Sequence, residues 1–127
     1  MQVAAAVSSA PDSSAEDDYQ LGRRYAIGLD VIKSDVEAAR LYRKAADKGH
    51  AAAQHELGTM YEDGIGVQKD DAEAVRWYRK AAYQGNADGQ IYLGRMYEFG
   101  KGVPINEAEA VRWFRKAADQ GDRSGQE

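Results

Sequence analysis

Cysteine is absent from this chain of 127 residues, which excludes disulfides, thiolate catalysis and thiolate metal sites together. The absence leaves the compartment open, because a protein without cysteine is stable in either redox state. Positive charge is outweighed, 17 Lys and Arg against 21 Asp and Glu, for a net charge of -4. Generic binding to nucleic acid or to an anionic membrane is therefore disfavoured. No apolar run approaches the roughly 18 residues needed to span a bilayer, so no membrane insertion is expected. Histidine occurs twice, as His50 and His55. A spacing of five places two side chains on different helical faces, so no metal site is expected. No serine, histidine and acid form a recurring constellation. At 43% hydrophobic and 30% charged, the composition is that of one folded domain.

What the chain does contain is repetition. The stretch from Leu57 to Gly85, LGTMYEDGIGVQKDDAEAVRWYRKAAYQG, returns without a gap from Leu93 to Gly121 as LGRMYEFGKGVPINEAEAVRWFRKAADQG. Matched residues are 36 positions apart, and the same step backwards reaches Leu21, Gly22, Tyr25, Gly28, Ala38, Tyr42 and Gly49. The first copy departs at Asp30, where the later copies have Gly66 and Gly102, and at Leu41, where they have Trp77 and Trp113. Gly125 and Gln126 match Gly89 and Gln90, as the start of a fourth copy would. The expected organisation is a flexible tail over 1–14 and a repeat domain over 15–127. Its copies lie at about 15–50, 51–86 and 87–122, with a truncated fourth over 123–127. Three complete copies are about the minimum for a stable array. Small residues at Val7-Ser8-Ser9-Ala10 also fit the trimmed end of a secretory signal.

Each copy reads as a helical hairpin. Gln54, Leu57, Gly58 and Tyr61 fall at i, i+3, i+4 and i+7, and Ala74, Trp77, Tyr78, Ala81 and Ala82 resume the stripe after the glycine loop. This predicts helix A over Ala51 to Asp63 and helix B over Asp71 to Gln84. Ser34, Asp70 and Asn106 stand where helix B needs an N-cap, with Glu37, Glu73 and Glu109 three positions on, the pattern of a capping box. Gly28, Gly64 and Gly100 are expected to end helix A, and Gly49, Gly85 and Gly121 to end helix B. His50, Asn86 and Asp122 occupy the entry to each following helix A. Gly22, Gly58 and Gly94 lie mid-helix, where glycine costs about 1 kcal/mol against alanine, so a packing reason is expected. The aromatic pairs Trp77-Tyr78 and Trp113-Phe114 are the predicted cover.

The pattern A-x-x-Q-x-x-L-G-x-x-Y-x-x-G-x-G-V, followed by a capped A-x-x-W-Y-x-K-A-A-x-x-G, resembles the Sel-one-like repeat family, relatives of the tetratricopeptide repeats. The likeness covers roughly residues 15–127. It implies an all-α, right-handed α-solenoid of antiparallel helix pairs, with helix A lining a concave side and a role as a scaffold for protein assembly. Bacterial members include secreted or periplasmic adaptor, virulence and toxin-immunity proteins, and eukaryotic members act in membrane-protein degradation. Some members pair cysteines across each repeat, a branch from which this chain departs.

Two sets of residues compete as functional. The basic ladder Arg40, Arg43, Lys44, Arg76, Arg79, Lys80, Arg112, Arg115 and Lys116 falls late in helix B, near the negative end of its dipole, and needs no ligand. Gly64-Ile65-Gly66 and Gly100-Lys101-Gly102 follow helices and lack a phosphate loop's Lys-Ser/Thr ending, so they read as turns. The informative positions change between copies while the framework stays. One face of helix A carries Tyr19, Arg23 and Ala26, then His55, Thr59 and Glu62, then Ile91, Arg95 and Glu98. The other carries Glu56, Met60 and Asp63 in the second copy, but Tyr92, Met96 and Phe99 in the third. That aromatic stripe reads either as packing on a neighbouring helix or the C-terminal segment, or as an exposed patch for a partner or a second copy. The expected function is a non-catalytic scaffold binding a protein or peptide on the concave helix-A surface, without cofactor. One alternative is a bacterial periplasmic immunity or adaptor protein that inhibits a toxin or enzyme by direct binding. A second is a weak hydrolase acting on cell-wall or antibiotic substrates. Bacterial periplasm or secretion is favoured over cytoplasm.

Overall fold

A computed structural model describes residues 13–125, with side chains as far as residue 121. Among these residues are six helices and no strand: α1 (Ala15–Ile27), α2 (Asp35–Asp47), α3 (Ala51–Asp63), α4 (Asp71–Tyr83), α5 (Ala87–Phe99) and α6 (Glu107–Gly125). Helices α1, α3 and α5 are the A helices and α2, α4 and α6 the B helices of three hairpins. Each helix packs on its neighbours in the chain, and α3 also meets α5. The result is an all-α repeat solenoid. Residues 1–12 and the last two lie outside the described residues, and with them most of the expected tail over 1–14 and the end of the expected fourth copy.

The helix ends follow local chemistry. Ser34, Asp70 and Asn106 each accept a hydrogen bond from the backbone N–H three residues on, at 3.0 to 3.1 Å. The reciprocal half of the expected capping box does not form. Glu37, Glu73 and Glu109 turn instead to Arg40, Arg76 and Arg112 one turn later. The N-cap N–H groups donate to the carbonyls of Tyr25, Tyr61 and Tyr97, which ties the start of each helix B to its own helix A. At the A entries, His50 Nδ1 accepts from the Ala53 N–H and Asn86 Oδ1 from the Gly89 N–H. Gly121 does not end its helix: α6 runs through it to Gly125. Gly49 and Gly85 take left-handed φ of 93° and 92°, each leading into a docked helix A, a demand that the described residues after Gly121 do not make.

The mid-helix glycines do have a packing reason, but only one residue of each aromatic pair supplies it. A Cβ on Gly58 would lie 2.5 Å from Tyr78 Cε1, and one on Gly94 would lie 2.7 Å from Phe114 Cε1; Tyr42 covers Gly22 likewise. Trp77 instead reaches back to the preceding repeat, in a core with Ala38, Tyr42, Ala46, Leu57 and Met60. Trp113 does the same among Val75, Tyr78, Leu93 and Met96. One aromatic therefore closes the hairpin and its neighbour joins hairpins together.

The second loop glycine also joins repeats. Gly66 has a φ of 74°, and a Cβ there would run into the Asp35 carbonyl of the hairpin before it; Gly102 stands in the same relation to Asp71. Asp30, at the equivalent place in the first copy, keeps a left-handed φ of 62°, and no hairpin among the described residues lies before it. The backbone demand survives there without the steric one, so a short polar residue suffices.

Candidate functional site

Between α3 and α5 the A-helix surface sinks into an open groove of about 470 Å³. Helix α3 contributes His55, Glu56, Thr59, Glu62 and Asp63, and α5 contributes Tyr92 and Arg95. Both sets of varying positions meet here. A trough between two side-by-side helices is walled by the flank of one and the opposite flank of the other, which brings Tyr92 to His55.

An aromatic cluster forms the floor. The His55 and Tyr92 rings meet edge to face with centroids 4.8 Å apart, and Tyr92 lies 5.3 Å from Tyr78. The Arg95 guanidinium sits 5.2 Å from the centre of the Tyr92 ring. His55 Nε2 is buried without a hydrogen-bond partner among the described residues. The Thr59 hydroxyl donates to the Glu56 carbonyl oxygen at 2.7 Å, an intrahelical bond.

The carboxylates divide into one that is held and two that are not. Glu62 accepts from the Tyr78 hydroxyl and from Lys101 Nζ, both at 2.7 Å. Burial pushes its carboxyl up, but these two donors and the Lys101 charge outweigh burial and hold it below the ordinary value of 4.5. Burial, followed by the bond to Glu62, pushes the Tyr78 phenol far up, so it stays a donor. Glu56 and Asp63 carry no ion pair or side-chain hydrogen bond among the described residues. Lys101 was legible in one respect: it is the lone charged residue at a loop position that holds Leu29 and Ile65 in the other copies.

The other sequence-predicted residues lie outside the groove. Tyr19 is half-buried on α1, stacked on His50 at 4.6 Å and near Tyr42; Arg23 beside it is exposed. Ile91 is exposed on α5. Glu98 borders a smaller hollow with Val111 and Phe114 between α5 and α6. The stripe Tyr92, Met96 and Phe99 does not hold together as a surface. Met96 is 1% exposed and, like Met60 in the copy before, belongs to the core, whereas Phe99 is 64% exposed. The i, i+4, i+7 spacing spreads these three across the edge of the buried stripe.

Apart from Arg115, which is exposed, the basic ladder is engaged by other described residues. Arg76, Arg43 and Lys80 surround the Trp77 ring at 4.7, 5.4 and 5.4 Å, and Arg112 and Lys116 flank Trp113. Arg43 and Arg79 donate to the hydroxyls of Tyr61 and Tyr97 in the next repeat. Lys44 approaches Asp18. Among the described residues there is no group of three or more metal-ligating side chains, and no helix is long and apolar enough to cross a membrane.

A family model described as Sel1 repeat matches three times, over residues 15–50, 51–86 and 87–122. No sequence among the curated proteins compared matches the chain. Among solved structures, the chain is similar to c5321, a protective antigen of uropathogenic Escherichia coli with an SLR fold. The identity is 44% and the TM-score 0.83, over 84% of this chain and 23% of that one. A Sel1 repeat protein from Oxalobacter formigenes is 38% identical with a TM-score of 0.86, over 94% of this chain and 49% of its own. Helicobacter pylori cysteine rich protein B is 27% identical with a TM-score of 0.68, over 91% of this chain and 98% of its own. The chain thus spans about a quarter of the first relative's length and about half of the second's.

Proposed function

Because this chain belongs to the Sel1 repeat family, whose members generally mediate protein–protein interaction, we propose that it is a non-catalytic module that binds a protein or peptide on its A-helix surface. The observation that carries this reading is the groove between α3 and α5. Its walls are built from positions that differ between copies, on a framework that does not. Tyr19, Arg23, Ile91 and Glu98 extend the proposed surface along the A helices; Tyr92 belongs to the groove, and Phe99 to its margin. Met96 is left out, and with it a self-association patch made of the whole stripe.

Its chemistry supports binding over turnover. The Thr59 hydroxyl is spent on a backbone carbonyl, and Glu62 is neutralised by Lys101. Neither an activated nucleophile nor a base oriented by a third group can be assembled from the groove residues. The test is affinity capture with quantitative mass spectrometry, comparing wild type with His55→Ala/Thr59→Arg and with Ala72→Arg/Ala118→Arg on exposed B-helix positions. Partners lost with the groove variant and kept by the B-helix variant support the proposal. Partners lost only with the B-helix variant would move the surface to the other side.

A further inference from the structure

The groove's unpaired charge suggests what kind of segment it takes. Three carboxylates line it, Glu56, Glu62 and Asp63, against one cation, Arg95. Lys101 bonds only Glu62 among them, its charge also reaching Asp63, and the chain as a whole carries -4. Glu56 and Asp63 are two turns apart on α3, about 10 Å along its axis, so they flank the groove lengthwise. The wall opposite is aromatic, and Arg95 over Tyr92 shows that a guanidinium fits against that ring. His55 Nε2, buried beneath the floor, has no hydrogen-bond partner among the described residues. The hollow is an open trough between two helices, a shape suited to a passing chain more than to an enclosed small molecule.

We infer that the α3–α5 groove recognises a cationic peptide segment, with Arg or Lys side chains neutralised by Glu56 and Asp63 and laid against Tyr92. This rests on the reading of the A-helix surface as the partner site and adds the partner's chemistry. Arg95 is then a competitor for the ring, which makes its removal informative.

The test uses short fluorescein-labelled peptides of alternating Ala and Arg, Ala and Gln, or Ala and Glu, titrated with the whole chain and read by anisotropy at low salt. The Arg peptide is expected to bind at least about tenfold more tightly than the Gln peptide, and the Glu peptide not at all. Glu56→Gln/Asp63→Asn should weaken the Arg peptide about tenfold, whereas Asp47→Asn/Asp119→Asn, removing equal charge from the B helices, should leave it within about twofold. Arg95→Ser should tighten it. The His55 ring protons provide a second readout, since they should shift on titration while those of His50 stay still. Equal weakening by both double variants, or an unmoved His55, would overturn the inference. So would full displacement by an equal concentration of spermidine, which would assign the groove to small cations. If partners captured from cells require the groove but keep their affinity in Glu56→Gln/Asp63→Asn, the cationic assignment fails while the partner surface stands.

Discussion

Lys48 Nζ lies 2.8 Å from Asp18 Oδ2, at the place where the second and third repeats set Gln84 against Gln54 and Gln120 against Gln90. The exchange changes what each side chain holds. Gln54 and Gln90 accept from the glutamine of their own helix B and donate to the carbonyls of Ala46 and Ala82 in the preceding hairpin. Among the described residues no backbone carbonyl takes the place of Ala46 or Ala82 beside Asp18, and this acceptor-only side chain is held by Lys48, Ser13 and Lys44. With Asp30 for glycine and Leu41 for tryptophan, this sets the contacts of the first hairpin apart from those of the later two.

That pair makes stability depend on pH. Burial raises the Asp18 carboxyl, but hydrogen bonds from Lys48 and Ser13 and the Lys44 charge together bring it below its ordinary value of 3.8. The unfolded chain therefore binds the proton more readily, and the pair's stabilisation is full above 3.8 and lost as pH falls through the lower folded value. Asp18→Asn should cost about 1–3 kcal/mol at neutral pH in urea melts. It should also flatten the decline in stability between about pH 5 and pH 2. Asp18→Gln/Lys48→Gln, which installs the later repeats' pair, should recover part of the loss. An unchanged acid decline in Asp18→Asn would place the acid sensitivity elsewhere.

Gly58 should not accept a side chain. Gly58→Ala gains about 1 kcal/mol of helix propensity, but its Cβ would press on the Tyr78 ring, where overpacking costs about 1–3 kcal/mol. A net loss is expected in thermal melts, larger for Gly58→Leu and partly relieved when Tyr78→Leu is added. A Gly58→Leu protein melting with the parent would remove the hairpin contact from the account.

The two equivalent loop positions should respond unequally. Gly66→Ala meets both a left-handed φ and the Asp35 carbonyl, so it should destabilise by more than the roughly 1–2 kcal/mol of backbone strain. Asp30→Gly should lie within about 0.5 kcal/mol of wild type, as surface substitutions do. Denaturant midpoints of the two variants test this, and equal losses would contradict the interlock between repeats.

Much of the fold was legible because it is local. The A and B boundaries, the three B-helix caps and the left-handed glycines depend on a few adjacent residues, and repetition supplied three readings of each. The failures have physical causes of the same scale. Glu37, Glu73 and Glu109 had both a cap and an Arg within reach, and the Arg took them. Gly121 permits a left-handed turn without requiring one. The groove was legible only in pieces, because which flank of α3 faces α5 depends on how hairpins stack, and a helical stripe alone does not specify that. Hence Glu56 and Asp63 were placed opposite His55 although all three line one trough, and Met96 was grouped with Phe99 although only Phe99 reaches the surface.

The central claim is that partners sit in the α3–α5 groove, and site-specific photo-crosslinking tests it most directly. A photoreactive residue placed at Thr59, half-buried in the groove wall, should capture the partner in the cells that make this protein. The same residue at Ala72 or Ala118, both exposed on B helices, should not. Crosslinks from Ala72 or Ala118 with none from Thr59 would contradict the account.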